Sequence, residues 1–485
     1  MKKIIPILIL TGLVCLISCK QEVEPIIKKT LSVSSDSLEF VIEGGIDSIT
    51  ITTDAVDWHV ISSAQWVKPS VDFGISKLKT IAITVEANAV KEVRTAILKV
   101  YGGNADTVYI KIKQLTKSIN GTDYQNFKDS IAPDATGMNS TAMEISNKII
   151  TGWNIGNTLE AIGGETAWGN PMITNDLIKT IKKSGFNAIR LPCSWNSYSN
   201  QTTGKINSSW LNRVKQVVQY CVDNDMYVIL NIHWDGGWLE NNCTEAKRVA
   251  NNAKQKAFWE QIAVTLSDFD EHVLFASANE PNVSNATQMA VLLSYHQTFV
   301  NTVRSTGGKN AYRVLVVQGP STDITTTNNL MTQMPTDKVP NRMMAEIHYY
   351  TPWNFCGMEK DETWGKMAYY WGKDYQSATD ANRNYSNGEA EVDRLMALMK
   401  TKFINKGIPV IVGEFGAIAR TSLTGDALKL HLASRAYYFK YVSKQAKANG
   451  LLPFFWDTGG IIDRRNYTVI DQPALDALIQ GANGL

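Results

Sequence analysis

Two glutamates in this 485-residue chain each stand at the end of a short apolar run. Glu280 follows the run Val273–Ala278, and Glu414 closes the run Pro409–Glu414. If both runs are parallel strands of one sheet, their ends lie at the same edge, and the two carboxyl groups can face one ligand. A protonated and an ionised carboxyl group facing the same bond are what hydrolysis of a glycosidic bond requires.

Other apolar runs end in polar or aromatic side chains that suit the same chemistry. They are Asn154, Arg190, His233, Trp234, Asn279, His348, Tyr350 and Trp456. Arginine supplies a fixed charge, and histidine, asparagine and tyrosine hydrogen-bond to hydroxyl groups. A tryptophan ring offers a flat apolar face for a sugar ring. A polar rim without function is the alternative interpretation, and we do not favour it because all these groups fall at the same kind of position.

Eight apolar segments are predicted to be the strands that position these residues. They are Ile149–Ile155, Ala188–Cys193, Tyr227–Trp234, Val273–Ala278, Val314–Gln318, Met343–Tyr349, Pro409–Glu414 and Leu451–Trp456. Helical periodicity lies between them, as in Leu211–Tyr220, Lys254–Ser267, Met289–Val303, Glu391–Ile404 and Leu428–Ala448. This alternation over residues 138–485 predicts an α/β fold, a (β/α)8 TIM barrel with its site at the C-terminal ends of the strands.

The strand-end residues resemble the pattern of glycoside hydrolase family 5, whose members are retaining barrel enzymes. The resemblance covers residues 138–485 and rests on Arg190, His233, Asn279, Glu280, His348, Tyr350, Glu414 and Trp456. The segment Gly152–Glu160, GWNIGNTLE, resembles subfamily 4, which includes endo-β-1,4-glucanases and xyloglucanases. The resemblance implies an endo-acting enzyme that cleaves β-1,4-glucosidic bonds in plant cell-wall glucans of the cellulose, xyloglucan or mixed-linkage type.

The resemblance also implies roles for the carboxyl groups and their neighbours. Glu280 would be the acid/base, with a raised pKa, and Glu414 the nucleophile that forms a glycosyl-enzyme. Arg190 and Tyr350 would hydrogen-bond to Glu414 and keep it ionised. His348 would lie beside Glu280 and tune it; the alternative is a histidine of the rim with no tuning role.

The remaining residues would bind substrate or support the site. Asn279 would reach the sugar 2-hydroxyl, His233 would bind other hydroxyls, and Trp456 would form the floor on the non-reducing side of the cleaved bond. Asn154 belongs to the same predicted set of substrate-binding and supporting residues.

Aromatic residues are concentrated in the loops that follow the predicted strands. They are Trp168, Trp195, Trp234 and Trp238, and, in an insertion from Pro352 to about Ser386, Trp353, Trp364, Tyr369, Tyr370 and Trp371. We expect about half to pack against the barrel, since tryptophan is highly buried on average. The others, with Trp234, Trp238 and Trp353 as candidates, would line a long open cleft in which cleavage is internal.

The N-terminus has the pattern of an exported bacterial lipoprotein. Lys2 and Lys3 precede the apolar run Ile4–Ile17, which is too short for an ordinary membrane span. It ends in Leu16–Cys19, which resembles a lipobox, so residues 1–18 are predicted to be a signal peptide and Cys19 the lipidated residue. The alternative is a plain secretory signal. A lipid anchor on Cys19 would hold the protein at a membrane, and we expect the outer membrane or cell surface.

Residues 30–116 alternate apolar and polar residues in short runs, which predicts a small all-β, immunoglobulin-like sandwich. The order of Trp58, Trp66, Asn88 and Arg94 resembles the BACON module. That resemblance leaves glycan binding and a spacer role open, and we expect Trp58 and Trp66 to pack in the core. Residues 117–137 are polar and are predicted to be a linker.

Composition and the missing motifs exclude several functions. The 48 Lys+Arg and 46 Asp+Glu residues give a net charge of +2, which does not favour nucleic-acid binding. Phosphate-loop, serine-hydrolase and zinc-protease motifs are missing from the sequence, so no cofactor or metal is predicted. We expect a monomer. Cys193, Cys221, Cys243 and Cys356 fit no zinc spacing, and Cys193 and Cys221 are expected to be buried thiols.

Two other functions stay open at this point. One is a mannan- or xylan-cleaving enzyme of the same family, differing only in the shape of its cleft. The other is a surface glycan-binding protein that kept the barrel and lost catalysis, for which we would expect one of the two glutamates to be replaced. Glu280 and Glu414 are both present, which favours the enzyme.

Overall fold

The computed structural model describes residues 28–40, 44–75, 77–88, 92–114, 131–201 and 203–485. The chain folds as two compact units that divide between Lys117 and Ser118. The predicted signal peptide, Cys19 and most of the predicted linker lie outside the described residues. Within the described ranges we find no helix with the length and apolar character of a membrane span.

The first unit is a β-sandwich, as predicted. Its strands are β1 (Leu31–Val33), β2 (Ser37–Phe40), β3 (Gly45–Thr53), β4 (Trp58–Ser62), β5 (Val67–Pro69), β6 (Phe73–Gly74), β7 (Leu78–Val85), β8 (Arg94–Tyr101) and β9 (Val108–Gln114). One sheet has the order β1-β3-β7-β5 and the other β2-β9-β8-β4-β6. Neighbouring strands are antiparallel except β2 and β9, which run parallel.

The two tryptophans of the sandwich pack as predicted. Trp58 is buried in the core, and a side chain at Gly74 would collide with its ring. Trp66 is partly buried against the same core, and the guanidinium of Arg94 lies 4.2 Å from the centre of its ring. The core of the sandwich therefore explains both residues.

The second unit is a closed barrel of eight parallel strands, which confirms the predicted fold class. The strands are β10 (Gly152–Ile155), β11 (Ala188–Leu191), β12 (Tyr227–Asn231), β13 (Val273–Ala276), β14 (Leu315–Gln318), β15 (Met343–Tyr349), β16 (Val410–Phe415) and β17 (Leu451–Asp457), and they neighbour one another in this order. Pairing of β10 with β17 closes the barrel.

Several barrel strands end earlier than predicted. β12 ends at Asn231 and β13 at Ala276, although their apolar runs continue. Beyond these points the backbone leaves the sheet, so His233, Asn279 and Glu280 belong to the loops at the mouth of the barrel. Active sites of such barrels are built from these loops.

Ten helices lie in the barrel unit as described. They are α1 (Ala142–Lys148), α2 (Asn175–Lys183), α3 (Ser208–Asp223), α4 (Glu245–Thr265), α5 (Ala286–Ser305), α6 (Ile324–Leu330), α7 (Trp353–Cys356), α8 (Gly388–Lys402), α9 (Gly425–Ala448) and α10 (Gln472–Ala482). Helix α1 begins with a capping box formed by Thr141 and Glu144. Its Ala142 and Ile145 pack with buried strand residues such as Ile229 and Leu274. Apolar side chains therefore fill the N-terminal end of the barrel, and polar ones are left for the opposite end.

The predicted linker is shorter than the sequence analysis assigns, because residues 131–137 belong to the barrel unit. Ile131–Pro133 pairs in parallel with Gly307–Gly308. This close approach needs glycine, since a side chain at Gly307 would lie 1.8 Å from the carbonyl oxygen of Ile131. The Lys309 ammonium also donates to the carbonyl of Thr136.

The four cysteines of the described residues are all free and buried, Cys193 and Cys221 among them as predicted. Burial raises the pKa of the Cys221 thiol, so it stays protonated. These residues are packing groups of the barrel unit and form no disulfide with one another.

Candidate active site

Glu414 lies near the end of β16 with its carboxylate held by two donors. Nη1 of Arg190 donates to Oε1 at 2.8 Å, and the hydroxyl of Tyr350 donates to Oε2 at 3.0 Å. The side chain is almost fully buried. Two fixed donors leave a carboxylate little freedom to rotate, so the structure aims Glu414 in one direction.

Glu280 follows Asn279 in the loop after β13, and its side chain is 41% exposed. Its Oε1 lies 2.7 Å from Nδ1 of His348, while the same nitrogen lies 3.7 Å from Oε2 of Glu414. An oxygen of Glu280 and an oxygen of Glu414 lie within 4.8 Å of each other. This separation suits a retaining glycosidase, where the carboxyl groups are about 5–5.5 Å apart, and is too short for an inverting one, at about 6.5–9.5 Å.

His348 is surrounded by carboxylates. Burial alone would lower its pKa, but Glu414, Glu280 and Glu346 outweigh burial and raise the pKa to about 10. The ring is therefore an imidazolium at neutral pH. Its Nδ1 donates to Glu280 and its Nε2 to Glu346, at 2.7 and 3.2 Å.

This charge corrects the expectation that the pKa of Glu280 is raised. Burial acts in that direction, but the hydrogen bond and positive charge of His348 outweigh it and lower the pKa of Glu280. The pKa of Glu414 stays raised, because burial and the negative charge of Glu280 outweigh His348, Arg190 and Tyr350, which act to lower it. In the free site the ionisable proton thus resides on a Glu280–His348 pair rather than on Glu280 alone.

Arg190, on β11, connects most of these groups. Besides Glu414, its guanidinium donates to Oδ1 of Asn154 at 2.9 Å and to Oδ1 of Asn279 at 2.8 Å. Its Nε lies 2.9 Å from Oε1 of Glu346. Asn279 is thereby fixed next to Glu280, with its amide nitrogen oriented away from Arg190.

Asn154 supports the site from inside the barrel. It is fully buried on β10, and its amide nitrogen donates to the carbonyl of Gly413 at 2.7 Å. Its oxygen is occupied by Arg190. A side chain with both ends bonded inside the barrel cannot reach a sugar, so its role is to join β10, Arg190 and the strand that carries Glu414.

Glu346 is a site residue that the sequence analysis missed. It is fully buried on β15 and lies against both Arg190 and His348. Its Oε2 accepts a hydrogen bond from Nε2 of Gln318 at 2.7 Å. The signal was available, because Glu346, His348 and Tyr350 alternate along one strand and its end, and alternate residues face the same side.

Glu240, in the loop after β12, was also missed. Burial and the negative charge of Glu280 raise its pKa to about 8, while the backbone N–H of Glu280 acts in the opposite direction. It is therefore a neutral carboxylic acid at pH 7 beside the acid/base candidate. A glutamate inside a loop carries no sequence signal for such a position.

His233 and Trp456 form one wall of the site. Their rings are stacked with centres 5.6 Å apart and planes at 12°. Burial lowers the pKa of His233, as do Arg190 and His348, so its ring is neutral and can both donate and accept. Trp456 is half-buried and keeps part of its surface free, as a floor for a sugar ring requires.

The loop aromatics divide into exposed and packed groups, as expected. Four tryptophans are exposed by 44–64%, namely Trp168, Trp234, Trp353 and Trp364. Trp195, Tyr370 and Trp371 are buried. Trp353 meets the ring of Tyr350 edge-on at 6.4 Å, which puts it next to the carboxylates.

Trp238 is better explained by packing than by substrate binding. Its ring lies edge-on to Phe258, and its Nε1 donates to Asp235 at 2.8 Å. The ammonium of Lys254 lies 4.8 Å from the ring centre. These contacts occupy the edge and one face of the ring, so we correct its assignment from cleft platform to a support of the loop after β12.

The site suits proton transfer better than metal binding. Glu280, His348 and Glu414 are the one group among the described residues whose His, Asp, Glu or Cys atoms are close enough to share an ion. However, both ring nitrogens of His348 donate to carboxylates and have no lone pair to offer. The charged groups of Glu280 and Glu414 are already paired with the imidazolium of His348.

Comparison with known proteins agrees with this geometry. The family model "Cellulase (glycosyl hydrolase family 5)" matches residues 153–460, and the BACON N-terminal domain model matches residues 56–115. A xyloglucan-specific endo-β-1,4-glucanase of Bacteroides ovatus is 36% identical over 468 residues, covering 92% of this chain and 90% of that enzyme. Endoglucanase A of Paenibacillus barcinonensis is 36% identical over 70% of this chain and 90% of its own length.

Solved structures give the same result. A Bacteroides ovatus GH5 xyloglucanase in complex with a XXXG heptasaccharide matches with a TM-score of 0.70 and 35% identity, covering 94% of this chain and all of that one. A GH5-4 broad specificity endoglucanase from Ruminococcus champanellensis with bound cellotriose has a TM-score of 0.61 and 32% identity, covering 70% of this chain and 98% of that one. On these matches the chain belongs to glycosyl hydrolase family 5 and carries an N-terminal BACON domain.

Proposed function

We propose that this enzyme is an endo-acting, retaining β-1,4-glucanase that cleaves plant cell-wall glucans, with xyloglucan as its leading substrate. The observation that carries the mechanism is the pair of carboxyl groups within 4.8 Å, one of them held by Arg190 and Tyr350. The name of the Bacteroides ovatus relative supports xyloglucan.

Glu414 acts as the nucleophile in a double displacement. Its carboxylate attacks the anomeric carbon while the bond to the leaving oxygen breaks, and Glu280 passes a proton to that oxygen. Water then attacks the same carbon, Glu280 takes a proton from the water, and Glu414 is released. Arg190 and Tyr350 keep the nucleophile aimed through both steps.

His348 holds the proton at a buried position next to Glu280. In the free site Glu280 is paired with the imidazolium, and the pair holds one proton that can be passed to the leaving oxygen through Glu280. After glycosylation the same pair is ready to accept the proton of the attacking water. Asn279, fixed by Arg190, is placed to bind the sugar 2-hydroxyl next to the reacting carbon.

Exposed tryptophans support internal cleavage of a polymer. Trp168, Trp234 and Trp353 follow three different barrel strands, and each has a free ring surface at the mouth. Several stacking faces bind several sugar units, which favours attack within a chain over attack at its end. The non-catalytic alternative is not favoured, since both carboxylates and their supporting contacts are present.

We also propose that Cys19 is lipidated and holds a monomeric enzyme at the outer membrane or cell surface. The support is the N-terminal pattern of Leu16–Cys19 after a short apolar run. Changing Cys19→Ala should move the protein from the detergent phase to the soluble fraction. Unchanged partitioning of the variant would refute the anchor.

Product analysis tests the substrate assignment. Xyloglucan, carboxymethyl cellulose, mixed-linkage glucan, mannan and xylan should be compared in parallel with the Glu414→Gln variant as the inactive control. We expect β-1,4-glucans to be cleaved, and xyloglucan fastest. Preference for mannan or xylan would refute the glucanase assignment while leaving the mechanism intact.

A further inference from the structure

Glu346 is a fully buried carboxylate that cannot touch substrate, yet it contacts two charged groups of the site. Its Oε1 lies 2.9 Å from Nε of Arg190 and 3.2 Å from Nε2 of His348. The strand carrying the nucleophile accommodates it, since a side chain at Gly413 would lie 2.1 Å from the same oxygen. Glycine therefore precedes Glu414 because Glu346 occupies that space.

Several charged or titratable groups act on the Glu280–His348 pair. They are Arg190 from β11, His233 and Glu240 from the loop after β12, Glu346 from β15, Tyr350 after β15, and Glu414 from β16. Three of them are neutral at pH 7, because the pKa of His233 is lowered and those of Glu240 and Tyr350 are raised. The other three groups, Arg190, Glu346 and Glu414, are charged.

Loss of the proton held by the Glu280–His348 pair leaves more unbalanced charge when Glu346 is present. With that proton on the pair, Arg190 and His348 contribute two positive charges, and Glu280, Glu346 and Glu414 contribute three negative ones. Loss of the proton raises the excess from one negative charge to two. Without Glu346 the same loss would take the set only from balance to one negative charge in excess. Since unbalanced charge is costly in a buried site, Glu346 favours the proton-loaded state.

We propose that Glu346 is a positioning residue that retains the catalytic proton on the Glu280–His348 pair and so sets the alkaline limit of activity. This inference rests on the proposed mechanism, in which that pair delivers the proton. The charge of Glu346 acts through His348, which it contacts directly, and through the field it places on Glu280.

The pH profile of Glu346→Gln tests the proposal. The amide keeps the shape of the side chain and removes its charge, so the pair binds its proton less tightly. We expect the alkaline limb of kcat/KM to move to lower pH by about one unit, because a neighbouring charge shifts a pKa by about 1–3 units. The acid limb, which reports Glu414, should move less. Glu346→Asp should keep the position of the alkaline limb while lowering the rate.

A matched control separates this role from a structural one. Asp337→Asn removes a buried carboxylate from its ion pair with Arg304, before β15 begins and away from the site. We expect that variant to lose stability and to keep its pH profile. A Glu346→Gln variant that is slower but has an unmoved alkaline limb would overturn the proposal.

A measurement on the unaltered protein that does not depend on activity keeps the two proposals distinguishable. The imidazole NMR signals of His348, assigned with His348→Asn, report its protonation in the unaltered protein. We expect an imidazolium that persists above pH 8. A neutral His348 at pH 7 would refute the inference even if the enzyme is an active glucanase, whereas an inactive protein with a charged His348 would refute only the proposed function.

Discussion

Nδ1 of His348 donates to Oε1 of Glu280 at 2.7 Å, and the ring is charged because carboxylates surround it. The acid/base is therefore one half of an ion pair in the free enzyme. This relationship explains how a carboxyl group with a lowered pKa can serve as an acid, since the proton belongs to the pair and is released through Glu280 when substrate arrives.

The loss of activity caused by replacing either glutamate should depend on the leaving group in a different way for Glu280 and for Glu414. Glu280→Gln should slow polymer cleavage by about 10²- to 10⁴-fold, the usual contribution of general acid catalysis. An activated aryl glucoside has a leaving group that needs no proton. With this substrate the Glu280→Gln variant should form the glycosyl-enzyme at nearly the rate of the unaltered enzyme. Burst kinetics with such a substrate measure that step directly.

Glu414→Gln is the matched control, because it should lose at least about 10⁴-fold on both kinds of substrate. Equal losses for the two variants on the aryl glucoside would show that the roles are assigned wrongly.

The raised pKa of His348 should make stability depend on pH. Its folded-state pKa of about 10 lies above the unfolded value of about 6.5, so its contribution is complete below pH 6.5 and is lost as pH rises toward 10. Urea unfolding between pH 6.5 and 10 should show this as a decline of up to about 1.4 kcal/mol per pH unit.

His348→Asn should be less stable at pH 6.5 and should decline less steeply above it. Buried tyrosines and cysteines affect both proteins alike, so the difference between the two curves reports His348 together with groups coupled to it, such as Glu240. Parallel curves would mean that the ring is neutral in the folded protein.

Trp353→Ala should weaken cleavage of polymers more than cleavage of small aryl glycosides. Its exposed ring beside Tyr350 is placed to stack on a sugar, and losing one such contact should lower kcat/KM on xyloglucan by about three- to tenfold. Trp238→Ala is the contrasting variant, because its packed ring should affect thermal stability more than KM. An equal rise in KM in both variants would contradict the assignment of Trp353 to substrate binding and of Trp238 to packing.

A chain that begins at residue 131 should fold and keep its rate on soluble oligosaccharides. All the residues of the site lie beyond this point, and Ile131–Pro133 is retained because it pairs with Gly307–Gly308. A chain that begins at residue 138 lacks this pairing and should melt at a lower temperature. If the longer chain folds but turns over slowly, the sandwich contributes to the cleft.

Position along strands explains how much of this site could be predicted from sequence. The carboxyl ends of parallel strands meet at one mouth, so Arg190, Glu280, His348 and Glu414 could be grouped from their runs alone. Sequence does not show which side chains are bonded at both ends, so it could not tell that Asn154 has a supporting role and that Trp238 is packed. Glu346 was missed although it alternates with His348 and Tyr350, because it lies inside its apolar run and not at the end of the strand.

The expected pKa of Glu280 was wrong for the same reason. The direction in which the pKa of Glu280 shifts depends on whether the neighbouring His348 is charged. That charge in turn depends on three carboxylates from separate parts of the barrel. Similarly, the end of the linker could not be placed, because Ile131–Pro133 has a strand partner about 175 residues away, at Gly307–Gly308.

Stereochemistry of the first products tests the central claim most directly. A retaining double displacement follows from carboxyl oxygens within 4.8 Å, which leave no room for the water that inversion needs. Proton NMR in the first minutes of hydrolysis of a soluble β-1,4-gluco-oligosaccharide should show the β-anomer at the new reducing end, followed by slow mutarotation. An initial α-anomer would contradict the account.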